Sequence, residues 1–102
     1  MAIVIPKNET PVFVIYDIEV DKIRNKLYET CKDYGLRPVQ FSVMAGTLTR
    51  TKSKELFGKL TGLLGDKPGT VLLVPVCRED FRKIMHTGEP LGLAHVPFVH
   101  FV

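Results

Sequence analysis

Asp17 is the residue whose type and position could most directly do chemistry. It ends an apolar run, Val12-Phe13-Val14-Ile15-Tyr16, that is typical of a buried strand. An unpaired carboxylate is costly in such surroundings, so we expect its side chain to have a partner. In one explanation, Asp17 caps the following helix or forms an ion pair with an arginine. In the other, it holds a metal ion or a proton at the end of the sheet. The residues alone leave these explanations open.

Basic residues form two short clusters that could contact phosphate groups. The clusters are Arg50, Lys52 and Lys54, before and within the second predicted helix, and Arg78, Arg82 and Lys83, after the last predicted strand. Doubled in a symmetric dimer, they would give positive patches that follow duplex phosphates without reading sequence. Solvated surface charge is the alternative explanation. Few aromatic residues lie between these bases, so base stacking is not expected.

Length and composition limit the class of protein. The 102 residues suffice for one domain, and 45% hydrophobic with 25% charged residues is ordinary for a globular protein. A net charge of +3 permits nucleic-acid binding without requiring it. Cys31 and Cys77 form no metal or disulfide pattern, and no stretch approaches the ~20 apolar residues of a membrane span. We expect a cytoplasmic protein that does not bind membranes.

Hydrophobic periodicity predicts the elements that position these residues. Strands are predicted at about 12–17, 37–44, 47–49 and 71–76, and helices at about 20–34 and 52–64. In the second strand, Val39, Phe41 and Val43 alternate with a wetter face, and Ala45-Gly46 marks a bend or bulge before the third. Gly35 is expected to end the first helix in a left-handed conformation.

This order predicts an α+β fold of the ferredoxin-like βαββαβ type, with both helices on one face of an antiparallel sheet. The first and last strands are nevertheless apolar on both faces. A second copy covering the open face explains this, and we infer a homodimer; a monomer covered by its own tail is the alternative. Residues 1–11 form an N-terminal extension. Residues from about 90 to 102 supply an additional C-terminal strand for the dimer or another partner.

Several phrases together resemble a known family. They are the spaced residues Asp17, Asp21 and Arg24, the phrase Val39-Gln40-Phe41-Ser42-Val43, and the stretch from Val71 to Arg78. In this order and at these spacings, residues 12 to 90 resemble the Cas-two family of small CRISPR-associated nucleases. The chain departs from the family pattern at Met44-Ala45-Gly46, where an aromatic and a carboxylate are common, and at Pro38, where arginine is frequent.

The resemblance implies a ferredoxin-like homodimer whose C-terminal strand crosses to the partner sheet. It implies that one Asp17 from each protomer meets near the twofold axis and binds Mg²⁺ or another divalent cation. Family members are described as metal-dependent phosphodiesterases that cut single-stranded RNA or double-stranded DNA. The family also serves as the central dimer that integrase subunits grip during spacer acquisition.

Roles can then be assigned to individual residues. Asp17 is the expected catalytic and metal-binding residue, because Mg²⁺ takes hard oxygen ligands and often only one or two carboxylates. The expected nucleic-acid contacts are Arg24, Arg50, Lys52, Arg78, Arg82 and Lys83. Gln40 and Ser42, on the wetter face of the second strand, could orient a phosphate or a water. Two other functions stay open: a non-catalytic scaffold bridging integrase and duplex DNA, and a regulator that binds a small ligand.

Overall fold

The computed structural model describes residues 5–88 as one sheet with three helices. In chain order the elements are β1 (Thr10–Ile18), α1 (Asp21–Asp33), β2 (Arg37–Gln40), β3 (Val43–Leu48), α2 (Arg50–Leu64), β4 (Gly69–Pro75) and α3 (Arg78–Arg82). The four strands are antiparallel, in the order β2-β3-β1-β4. The predicted α+β class and the order βαββαβ are therefore confirmed. The predicted C-terminal strand and the start of the N-terminal extension lie outside the described residues.

One face of the sheet packs against α1 and α2. Alternate β1 residues, namely Val12, Val14, Tyr16 and Ile18, are buried there together with Leu27 and Cys31 of α1 and Leu56 and Leu60 of α2. Each large aliphatic side chain buried in this way contributes about 1.5–3 kcal/mol. Gly35 has a φ of 88°, as predicted for the residue that follows α1. Because the Thr49 hydroxyl accepts from the Lys52 amide at 3.1 Å, α2 starts at Arg50, earlier than predicted.

The prediction of one strand over 37–44 was wrong, because the chain reverses inside it. Phe41 and Ser42 form the turn between β2 and β3, and Gln40 pairs with Val43 across it. Ser42 has a φ of 64°, a left-handed conformation that lets the hairpin close. Simple alternation does not reveal a two-residue turn that lacks glycine and asparagine. The turn also resets the faces, so Met44 is buried rather than on a wetter face.

The predicted bend at Ala45-Gly46 was also wrong. Both residues lie within β3, and the irregular pairing falls in β2, between Pro38 and Gln40. The glycine instead permits a close approach, since a Cβ at position 46 would lie 3.2 Å from the Cα of Leu36. Glycine within a strand can mark close packing of two backbones as well as a bulge.

The opposite face of the sheet, here called the open face, is only partly covered by this chain. Phe81 of α3, a helix that the sequence did not predict, packs with Ile5, Val39 and Ala45, and its ring centroid lies 5.8 Å from that of Phe13. Next to this cluster, Ile15, Leu72 and Val74 remain 39%, 55% and 38% exposed; these three residues are called the apolar strip. Within residues 5–88, no helix is both long and apolar enough to cross a membrane.

Candidate functional site

Asp17 lies on the open face, at the end of β1 that leads into α1. It pairs with Thr70 of β4, and Ile15 of the apolar strip precedes it on the same face. The side chain is exposed, and its carboxylate forms no hydrogen bond or ion pair with the residues between 5 and 88. Both carboxylate oxygens are therefore available to a ligand from outside the described part of the chain.

The two structural explanations for Asp17 are wrong. The N-cap of α1 is Val20, and no side chain caps this helix. Arg24 is not a partner either, because its guanidinium pairs with Asp21 and donates a 3.0 Å hydrogen bond to the carbonyl of Ile18. The carboxylate also avoids the cost of burial, since β1 turns it outward. The ligand role inferred from the sequence stays a prediction.

The turn between β2 and β3 lies beside the same end of β1. The amide of Tyr16 donates a 3.1 Å hydrogen bond to the carbonyl of Ser42, one residue before Asp17. Gln40 is exposed and Ser42 is half-buried. The structure thus places Ser42 beside the end of β1, whereas Gln40 lies one strand further away, in β2 before the turn.

The predicted basic residues are divided between internal contacts and solvent. Arg78 donates to the carbonyls of Pro6 and Lys7, and to that of Glu9 at 3.0 Å, so its guanidinium fastens the N-terminal segment to α3. Arg78 and Arg24 are therefore both already bonded to other groups within the chain. Among the other predicted contacts, Lys52 forms an ion pair with Glu55 at 3.4 Å, and Lys83 forms one with Glu79 at 3.2 Å.

Two of the arginines that were predicted to contact nucleic acid are left uncommitted. Within residues 5–88, the exposed guanidinium groups of Arg50 and Arg82 form no hydrogen bond or ion pair. Arg50 begins α2, next to the end of β3 that is distant from Asp17, and Arg82 ends α3. Contacts between any of these bases and nucleic acid stay a prediction.

A cleft of about 470 Å³ opens at the far end of the sheet from Asp17. Tyr34 is one of its lining residues. The Tyr34 hydroxyl donates to Glu55 at 2.7 Å, and the ammonium groups of Lys52 and Lys59 lie 5.8 and 5.0 Å from the ring centroid. The hydrogen bond from Tyr34 lowers the pKa of Glu55. Hydrogen bonding to the same tyrosine raises the pKa of Lys59. These contacts join the end of α1 to α2 and were not predicted.

A metal ion at Asp17 would complete its ligands with water or with groups outside residues 5–88. Residues 5–88 contain no group of three or more His, Cys, Asp or Glu side chains that could hold a metal. Burial raises the pKa of Cys31 to about 12, and this side chain packs in the core on the helix-covered face, away from the open face that carries Asp17. A single exposed carboxylate fits Mg²⁺, which keeps several waters and often takes only one or two carboxylates.

The match to a family model decides the family. Residues 10–84, which include Asp17 and all four strands, match the model described as CRISPR associated protein Cas2. The chain belongs to the Cas2 family. The resemblance inferred from the sequence is confirmed.

Curated relatives carry the same family name. The chain is 48% identical over 69 residues to the CRISPR-associated endoribonuclease Cas2 of Desulforudis audaxviator. The matched segment covers 68% of this chain and 65% of that protein. A second relative, from Chloroflexus aurantiacus, is 48% identical over 47% of this chain and 56% of its own length. The chain thus spans less than two thirds of either relative. A third, from Methanospirillum hungatei, is 31% identical over 76% of this chain and 82% of its own length.

Solved structures agree with the fold. A hypothetical protein from Thermus thermophilus superposes with a TM-score of 0.66 at 26% identity, over 82% of this chain and 94% of the other. A crystal structure of a Cas2 protein superposes with a TM-score of 0.60 at 25% identity, over 81% and 91% of the two chains. The small α+β fold of this Cas2 family member is therefore shared with solved structures.

Proposed function

We propose that this Cas2 family member is a divalent-cation-dependent phosphodiesterase of the cytoplasm that takes part in CRISPR spacer acquisition. It acts as a ferredoxin-like homodimer, with Mg²⁺ held between the Asp17 carboxylates of two protomers. RNA and DNA are both candidate substrates. The names of the curated relatives, which are called endoribonucleases, support nuclease activity.

The position of Asp17 carries the proposal. Its carboxylate is exposed, has no bonding partner within residues 5–88, and continues the row of open-face residues that contains Ile15 of the apolar strip. Contiguous exposed apolar residues are a common feature of surfaces at which another molecule binds. If a second copy covers the apolar strip, symmetry brings a second Asp17 to the same seam.

The residues around Asp17 can hold and orient a phosphodiester. Two carboxylates near each other repel, and a cation between them removes that repulsion. When bound, the cation supplies a nucleophilic water and offsets charge on the phosphate. Gln40, through its exposed amide, can donate to a phosphate oxygen. The backbone bond between Tyr16 and Ser42 holds the turn in place beside the strand end.

An exchange of Asp17 for asparagine tests the proposal. Asp17→Asn keeps the size of the side chain and removes the charge that holds the cation. Cleavage of labelled RNA and DNA in Mg²⁺ should fall by at least about 100-fold, the lower end of what one catalytic group contributes. Asp66→Asn, at another exposed carboxylate in the turn after α2, is the matched control and should cleave normally. Equal activity of the two variants would contradict the proposal.

A non-catalytic scaffold is the second candidate, and the uncommitted Arg50 and Arg82 favour it. Both guanidinium groups are exposed and could contact duplex phosphates or an integrase subunit. If the protein only bridges, Asp17→Asn should spare spacer acquisition, whereas Arg50→Glu combined with Arg82→Glu should abolish it. A regulator that binds small molecules has less support, because the cleft at Tyr34 lies away from the apolar strip.

A further inference from the structure

The most exposed aromatic residue in the described part of the chain stands beside the candidate site. Phe41 is 89% exposed, at the turn between β2 and β3. Sequence periodicity places this ring inside the protein, and the reversal of the chain at Phe41 and Ser42 turns it out. Exposing a whole phenyl ring to water gives the fold no stability, so the position calls for another explanation.

Backbone geometry fixes where the ring stands. Ser42 holds a φ of 64° and accepts the hydrogen bond from the Tyr16 amide at 3.1 Å, which attaches the turn to β1. Adjacent strands lie about 4.8 Å apart, so the turn is roughly one strand spacing from the residue that precedes Asp17. Phe41 and Asp17 therefore share one end of the sheet.

We propose that Phe41 is a stacking platform for an unpaired nucleobase of the strand whose phosphate lies at Asp17. This assignment rests on the proposed phosphodiesterase function and deepens it, since it favours single-stranded or locally unpaired substrates. Aromatic side chains bind the faces of bases that have left a duplex, largely without regard to sequence. Phe41 positions the substrate and takes no part in the chemical step.

The neighbours of Phe41 suit a nucleotide better than a protein partner. Gln40 and Ser42 flank the ring with an amide and a hydroxyl, which can donate to and accept from a base edge or a phosphate. Single exposed apolar residues are common on protein surfaces. This one is distinguished by its projection from a turn, by its polar flanks and by the adjacent Asp17.

Tryptophan fluorescence gives a direct test, because the chain contains no tryptophan. Phe41→Trp, made together with Asp17→Asn so that substrate survives, is titrated with a single-stranded RNA oligonucleotide. We expect saturable quenching as bases stack on the new indole. The matched control places tryptophan at Phe57, a partly exposed residue of α2, in the same Asp17→Asn background. Its emission should not change with RNA.

Affinity measurements separate stacking from plain apolar contact. Phe41→Leu keeps an apolar side chain without a π-face, and Phe41→Ala removes the ring. Both should weaken single-strand binding by roughly 5- to 150-fold, the range of alanine substitutions at stacking positions. Both should leave binding of a fully paired duplex nearly unchanged. Equal losses on single strand and duplex, or none on either, would overturn the proposal.

Two further outcomes keep this inference distinct from the proposed function. Quenching at Phe41→Trp with no cleavage by the parent protein would leave the platform standing and reject hydrolysis. If the parent protein and Phe41→Leu cleave equally well and Phe41→Trp shows no quenching, hydrolysis stands and the stacking platform is rejected. A change of emission that depends on protein concentration in the absence of RNA would show that a second protein molecule covers Phe41, and would overturn the assignment.

Discussion

Gly69 and Asp17 meet backbone to backbone where β4 begins. A Cβ on Gly69 would lie 2.5 Å from the carbonyl oxygen of Asp17, and Gly69 has a φ of 141°. Only glycine fits that conformation and that approach without strain. The first residue of β4 therefore helps to hold the candidate catalytic residue in its register with Thr70.

Gly69→Ala should destabilise the protein and displace the end of β1. We expect a loss of about 1–3 kcal/mol in the free energy of unfolding, because the new methyl group meets backbone rather than a flexible side chain. Gly62→Ala is the control: this glycine lies in α2, and a Cβ added there would have no neighbour within 4 Å. There alanine should stabilise by about 0.5–1 kcal/mol. Urea denaturation measures both, and effects of the same sign would contradict the expected steric clash.

Arg78 and Arg82 should behave differently although both belong to one basic cluster. Arg78→Ala should lower the free energy of unfolding by about 1–2 kcal/mol, since a charged donor to three carbonyls is lost from a partly exposed position. Arg82→Ala should leave stability unchanged and, if it contacts a phosphate, lower the salt dependence of DNA binding by about one charge. Urea denaturation and salt titrations decide, and unchanged stability of Arg78→Ala would contradict the clamp.

The Tyr34–Glu55 hydrogen bond should make stability depend on pH. The bond lowers the pKa of Glu55, so its contribution is present above the usual pKa of glutamate, about 4.3, and is lost as pH falls through the lowered value. Tyr34→Phe should therefore be less stable than the parent at pH 7, with the difference shrinking in acid. Denaturation midpoints at several pH values measure this.

Tyr28→Phe is the control for that series. Tyr28 lies on α1, and its hydroxyl has no hydrogen bond among the residues from 5 to 88. Any change in its stability should be the same at pH 7 and in acid. A pH-independent difference for Tyr34→Phe as well would show that the hydroxyl of Tyr34 does not favour the charged form of Glu55.

Leu72 tests the proposed dimer. Leu72→Glu places a charge at the most exposed residue of the apolar strip, where a partner would leave it buried and unpaired. Such burial costs about 3–5 kcal/mol, so the dimer dissociation constant should rise by at least about 100-fold. Phe57→Glu, on the outer side of α2, should have no effect. Sedimentation equilibrium measures both, and a monomeric parent protein would contradict the dimer.

The general fold could be predicted because its signals are local and repeated. The apolar run before Asp17, the helical spacing of α1 and α2 and the run in β4 each span several residues, and all confirm their predicted type. The order βαββαβ follows from them. The two apolar faces of β1 also indicated that the open face needs a cover, and Phe81 provides part of it.

The remaining details depend on conformations that side-chain patterns do not encode. Ser42 adopts a positive φ without being glycine, so the turn of the hairpin was hidden and Phe41 was assigned to the wrong side. Gly46 indicated a bend, whereas its reason is the backbone of Leu36, a long-range contact. Arg78 looked like a surface base because its acceptors, the carbonyls of Pro6, Lys7 and Glu9, lie about seventy residues away in sequence.

The packing of Phe81 over Phe13 has a further consequence for assembly. It covers the β2 and β3 side of the open face together with Phe13 of β1, and it leaves the apolar strip on β1 and β4 exposed, a band about two strands or ~10 Å wide. A molecule docking there cannot sit centrally on the sheet and has α3 as a wall along one flank. Sliding across the strands is blocked on that flank. The short helix would thus act as a stop that sets the lateral alignment of whatever binds beside Asp17.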